Sequence, residues 1–76
     1  MEKSLYSKKG EALRDWLRSE RESQGLSMRD LAQMLNTNHQ FIGKVELGER
    51  RLDVVEYVTY CQALNIDPSE GIRHIR

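Results

Sequence analysis

Only three residues, Asn36-Thr37-Asn38, separate two segments that both carry helical patterning. In the first, SMRDLAQML, the residues Leu31, Ala32 and Leu35 share a face. In the second, HQFIGKVEL, Phe41, Ile42 and Val45 come together on one side. Helices joined by so short a link cannot lie back as an antiparallel hairpin. They must cross steeply, in a helix-turn-helix geometry, and one face of the later helix is then left pointing away from the core. That face carries His39, Gln40, Gly43, Lys44 and Leu47. A mid-helix glycine costs about 1 kcal/mol relative to alanine. Its place on an outward face therefore asks for a reason outside the core.

The rest of the chain is punctuated for helices as well. A first helix fits residues 8–24, with Leu13, Trp16, Leu17 and Arg21 on one stripe and Gly25 as its stop. Ser27 is placed to cap the second helix, with Asp30 three positions on in a variant of the capping box, and Asn36 closes it. The third helix spans residues 39–47, capped by Asn38 or Thr37 and stopped by Gly48. Asp53 with Glu56 opens a fourth that ends near Asn65, and Asp67-Pro68-Ser69-Glu70 opens a short fifth. Five short helices without a strand-like alternation predict a compact all-α fold, one domain over residues 1–76 with residues 1–7 as a flexible N-terminal arm.

Composition narrows the function. A single cysteine, Cys61, excludes an internal disulfide, and with His39 and His74 as the only histidines no metal cluster is expected. Cys61 sits in an apolar run and is expected in the core. No apolar stretch reaches signal-peptide or membrane-span length, so a cytoplasmic, nucleoid-associated protein with no membrane partner is expected. No nucleophile–base pair, phosphate-cradling glycine loop or pair of acids is recognisable, and neither an enzyme nor a cofactor is expected. Twelve Lys and Arg balance twelve Asp and Glu. Their distribution is uneven, however: from Asp53 to Gly71 there are acids but no Lys or Arg. A neutral total can therefore hold one basic and one acidic face.

The run GLSMRDLAQMLNTNHQFIGKVELGERRLDVVEYVTYCQALNIDP, Gly25 to Pro68, resembles the phage-repressor and Cro-like helix-turn-helix proteins, the xenobiotic-response-element family. The resemblance rests on the glycine, the Leu31-Ala32 pair, the I…V-E-x-G-E-R pattern of helix three and the A-L-x-I ending of helix four. It implies a five-helix, lambda-repressor-like domain that regulates transcription by binding double-stranded DNA, usually as a homodimer on a palindromic operator. By the same resemblance, His39, Gln40 and Lys44 face the major groove, and Asn38 caps the recognition helix near phosphate. Glutamine can pair bidentately with adenine, and lysine can donate to guanine or to phosphate. Gly43 would let the helix approach the groove closely. Arg29, Arg50 and Arg51 are candidates for gripping the backbone on either side. Arg21 and Glu46 match positions that form an ion pair locking helix one to helix three, and Trp16 is expected to pack rather than to stack on bases.

One departure is Met28, where the family commonly has a glutamine that braces on phosphate. A thioether cannot make that bond, although it can touch a thymine methyl group. Helix four carries Val54, Val55, Tyr57, Val58, Tyr60, Cys61, Ala63 and Leu64, and Ile72 and Ile75 follow. This apolar surplus serves either the core or a dimer interface. Repression and activation are equally compatible with these residues, and no room remains for a small-molecule sensor. The alternative function is a protein-interaction module, an antitoxin or adaptor, that keeps the fold and binds DNA weakly.

Overall fold

The computed structural model describes residues 7–76. Five α-helices make up its regular structure: α1 (Lys8–Ser23), α2 (Met28–Met34), α3 (His39–Leu47), α4 (Val54–Leu64) and α5 (Pro68–Ile75). No strand occurs among the described residues. Ser7, grouped by the sequence with the N-terminal arm, is instead the cap of α1: its hydroxyl accepts the Gly10 N–H at 2.9 Å. Residues 1–6 of that arm lie outside the described residues.

Each helix begins where a short polar side chain takes up amide groups that have no partner inside the helix. Ser27 with Asp30 and Asp53 with Glu56 form reciprocal capping boxes on α2 and α4. At α3 the choice between two candidate caps falls to Asn38, whose Oδ1 accepts the Phe41 N–H at 3.0 Å. Asp67 accepts from Ser69 at the start of α5, where Pro68 fills the first turn. The ends are as local as the beginnings. Gly48 closes α3 in the left-handed region at φ 80°, and Asn36 and Asn65 turn the chain at φ 55° and 56°.

The core is built from Leu17 of α1, Leu31 and Ala32 of α2, Ile42 and Val45 of α3, and Tyr57, Tyr60, Cys61 and Leu64 of α4. Burying a side chain of this size stabilises by about 1.5–3 kcal/mol. Leu35 and Phe41, expected inward, are half-buried at the edge of this cluster.

Beside the core, α5 closes against α1 and α4. Gly71 is buried there, and a Cβ added to it would come within 2.6 Å of the Trp16 ring and 3.0 Å of Leu13, and would strike the Tyr57 hydroxyl. Trp16 is thus a packing residue, with its ring 5.7 Å from that of His74. Two polar ties fix the seams. The Tyr57 hydroxyl donates to the Pro68 carbonyl at 2.6 Å, and the Gln24 amide donates to the Leu64 carbonyl at 2.6 Å.

Candidate nucleic-acid interface

The inward side of α3 is held by more than apolar packing. Arg21 of α1 grips Glu46 in two hydrogen bonds, Nε to Oε2 at 2.7 Å and a second guanidinium nitrogen to Oε1 at 3.0 Å. The third guanidinium nitrogen donates to the Leu26 carbonyl at 2.7 Å, at the turn that leads into α2. Both side chains are enclosed, 8% and 3% exposed. The hydrogen bonds from Glu46 hold the Arg21 guanidinium above its ordinary pKa, against the opposing effect of burial. One side chain therefore fixes α3 and the entry to α2 together. The carboxylate on α3 is neutralised and turned away from the outward face.

That outward face presents the polar residues singled out in the sequence. Asn38, Gln40, Lys44 and Arg50 line one surface hollow together with Thr37 and Phe41. Gln40 and Lys44 are exposed, and their side chains make no hydrogen bond or ion pair among the described residues. His39 is half-buried and does not line the hollow. Gly43 faces neither crowding nor a polar partner: an added Cβ would meet only the Met28 sulfur, at 3.8 Å. That is an ordinary contact, so the fold itself does not require glycine at this position.

The arginines divide. Arg29 is exposed on α2. Arg51 is exposed after α3 and lines a different, largely apolar groove with Arg14, Leu13, Leu52, Val54 and Ile72. Arg50 lines both surfaces and is engaged within the molecule. Its guanidinium pairs with Glu56 at 2.7 Å, donates to the Arg51 carbonyl and lies 5.2 Å from the centre of the Phe41 ring. The Asp53 backbone N–H and Arg50 together hold the Glu56 carboxyl below its ordinary pKa. The pair is 42% and 33% exposed, a setting in which an ion pair adds little stability. Its consequence is positional: it sets the guanidinium at the edge of the hollow while sharing its charge with an acid.

One contact escaped sequence reasoning. Arg14 of α1 lies over the C-terminal end of α3, with its guanidinium carbon 2.9 Å from where a Gly48 Cβ would stand. A cation there suits the partial negative charge of a helix C-terminus. No short-range signal links residues 14 and 48, so nothing local announces the contact. Leu47, by contrast, was placed on the outward face by its spacing, and its 73% exposure shows that no neighbouring element covers it.

Comparison with known proteins agrees with this geometry. The helix-turn-helix model HTH_3 matches residues 17–71. An XRE-family-like protein from Pseudomonas syringae pv. tomato is similar in structure, with a TM-score of 0.82 and 33% identity over 88% of this chain and 82% of that one. The restriction-modification controller protein C.AhdI from Aeromonas hydrophila superposes with a TM-score of 0.72 and 32% identity, covering 78% of this chain and 86% of its own. The clp gene regulator ClgR from Corynebacterium glutamicum gives a TM-score of 0.78 at 25% identity, over 86% and 84% of the two chains. No curated protein sequence matches. With the turn between α2 and α3, the buried Arg21–Glu46 lock and a family match over most of its length, the chain belongs to the Cro/C1-type, XRE-family helix-turn-helix proteins, a family of DNA-binding transcriptional regulators.

Proposed function

We propose that the protein is a sequence-specific regulator that binds a palindromic operator as a homodimer, with α3 in the major groove, and that repression is its simplest mode of action. One observation carries the proposal: the outward face of α3 bears Gln40, Lys44 and a glycine that the fold does not use. Gln40 and Lys44 then contact base edges, and His39 contacts a base or phosphate at the margin. Arg29, Arg50, Arg51 and Asn38 contact the backbone, assisted by the amide groups at the start of α3. Gly43 supplies clearance.

Dimerisation follows from arithmetic. A bidentate pair contributes about 1–3 kcal/mol of discrimination, and two copies a helical turn apart double the number of such pairs. Val54 and Val55, about three-quarters exposed, and Ile72, about half exposed, are apolar residues left over for such an interface. The neighbour C.AhdI is named as a restriction-modification controller, and a small autoregulatory controller of that kind is one form the proposed activity can take. The proposal places the protein in the cytoplasm, bound to the nucleoid, with no small-molecule effector. Among the described residues no helix is long and apolar enough to cross a membrane.

Selection of sites from a random duplex pool at fixed moderate salt tests the proposal. An enriched palindrome is expected, and it should be lost with the Gln40→Ala, Lys44→Ala double variant. The second reading, a protein-interaction module, is favoured by the pairing of Arg50 with Glu56, which offsets one of the candidate phosphate contacts. The two part on salt: duplex affinity should fall steeply with ionic strength if counterions are released from several phosphates. No enrichment at any salt would turn the search toward a protein partner.

A further inference from the structure

The groove between α1 and the link that follows α3 differs in composition from the hollow on the outward face of α3. Its α1 side is Gly10, Leu13, Arg14 and Leu17, spaced i, i+3, i+4 and i+7 along two turns, about 10 Å of helix. Leu52 and Val54 line it from the link and the start of α4, and Ile72 from α5. Val54 is 78% and Ile72 48% exposed, so its apolar surface is open to solvent. The guanidinium groups of Arg14, Arg50 and Arg51 stand among these residues. Arg14 and Arg51 form no ion pair among the described residues, whereas Arg50 shares its charge with Glu56. Among the described residues one acid, Asp53, lines the groove, and its carboxylate is engaged in accepting the Glu56 N–H at 2.7 Å. The groove is therefore apolar and cationic at once.

That pairing of properties selects among occupants. A small ligand is normally enclosed over most of its surface, and a groove edged by exposed side chains does not enclose one. Residues 1–6 carry one acid and one base, Glu2 and Lys3, and so bring no complementary charge. Val54 and Ile72 were counted above as surplus for a homodimer, but a two-fold interface centred on this groove would set the same guanidinium groups of two copies face to face. Val55 lines a separate groove, with Leu35 and Phe41, and remains for a second copy. We propose that the groove between α1 and the α3–α4 link is a docking site for a protein partner, taking a short segment in which apolar side chains are flanked by Asp or Glu. The apolar side chains rest on Leu13, Leu52, Val54 and Ile72, and the carboxylates pair with Arg14 and Arg51. The site does not depend on the DNA-binding function. Where that function holds, occupancy takes Arg50 and Arg51 from the DNA backbone, so the segment and the duplex exclude each other.

The probe is a displayed library of random short peptides, selected on the full chain. Enriched peptides should combine apolar residues with Asp or Glu. A synthetic peptide of that kind should lose about tenfold in affinity with Val54→Gln, through the lost apolar contact, and about fivefold with Arg51→Gln, through the lost ion pair. Both positions are exposed, so neither variant disturbs the fold. An operator duplex added to the complex should displace the peptide. Enrichment of peptides without acids, or affinity unchanged in both variants, overturns the proposal. So does the absence of any enriched peptide: loss of a dimer in Val54→Gln would then give the groove to a second copy, and nuclear Overhauser contacts between the Val54 methyl groups and residues 1–6 would give it to the chain's own start. A peptide held with undiminished affinity on the duplex-bound protein overturns the exclusion of DNA. If no operator can be selected, the DNA-binding function fails by itself, and the peptide measurements still decide the groove.

Discussion

Gly43 and Gly71 each lie within a helix, and for opposite reasons. At Gly71 the missing side chain is a demand of the interior: α5 lies so close to α1 and α4 that a Cβ would run into Trp16 and Tyr57. At Gly43 the interior makes no demand, and a Cβ would rest at ordinary distance from the Met28 sulfur. The same residue type, with the same intrinsic penalty in a helix, thus marks a seam of the fold in one place and, in the other, a position where packing does not call for it and where the proposed function places the DNA. Sequence alone singled out only Gly43, because its neighbours on the helix were polar. The contrast teaches that a glycine becomes evidence of function only after packing has been excluded as its cause.

The largest effect expected from disturbing this division lies on the inward side of α3. Glu46→Ala leaves the enclosed Arg21 charge unpaired and should lower stability by about 3–5 kcal/mol, read from the urea midpoint. Replacing both partners by apolar residues, Arg21→Met with Glu46→Leu, should recover much of the loss. A small effect of Glu46→Ala on stability would break the assignment of this carboxylate to the fold. Gly71→Ala comes next. Overpacking the α1–α5 seam should cost about 1–3 kcal/mol, with the fluorescence of Trp16 as a local reporter.

Gly43→Ala should move in the opposite direction, raising stability by about 0.5–1 kcal/mol while weakening duplex binding. If this variant is stabilised and binds DNA unchanged, the clearance assigned to Gly43 is wrong. The smallest effect is on acid stability and should be the same in both glycine variants. Asp30 and Glu56 are held below their ordinary values of 3.8 and 4.5, mainly by accepting the backbone N–H groups of Ser27 and Asp53. A carboxyl whose pKa is lowered by folding contributes stability that is whole above its unfolded-state value and is lost as pH falls through the folded-state one. The thermal midpoint should therefore decline on acidification below about pH 4.5, and less steeply in Glu56→Gln.

The α3 segment shows how much could be read in advance. Its residues 39–47, its glycine stop and its outward set followed from spacing, because a helix fixes which side chains share a face. Its cap was narrowed to Asn38 or Thr37, and the structure chose Asn38 through a contact three residues away. The Arg21–Glu46 lock spans 25 residues. It was legible only through family resemblance, since no local rule pairs side chains so far apart. Arg50 was read as a candidate for gripping the DNA backbone; spacing did not announce that the turn after α3 lays it over Phe41 and against Glu56. The apolar surplus of α4 was left between core and interface. Packing sends Tyr57, Tyr60, Cys61 and Leu64 inward and leaves Val54 and Val55 outside.

By itself the sequence determined where helices start and stop, because caps, left-handed turns and apolar periodicity act over three or four residues. It also determined, by the three-residue link, that α3 would turn a polar face away from the core. Only the tertiary structure decided what each helix face meets: that Gly71 has no room for a side chain, that Gly43 has room to spare, and that Arg50 shares its charge. Those outcomes depend on distances between elements far apart in the chain, which are set when the helices pack together and which no short-range pattern encodes.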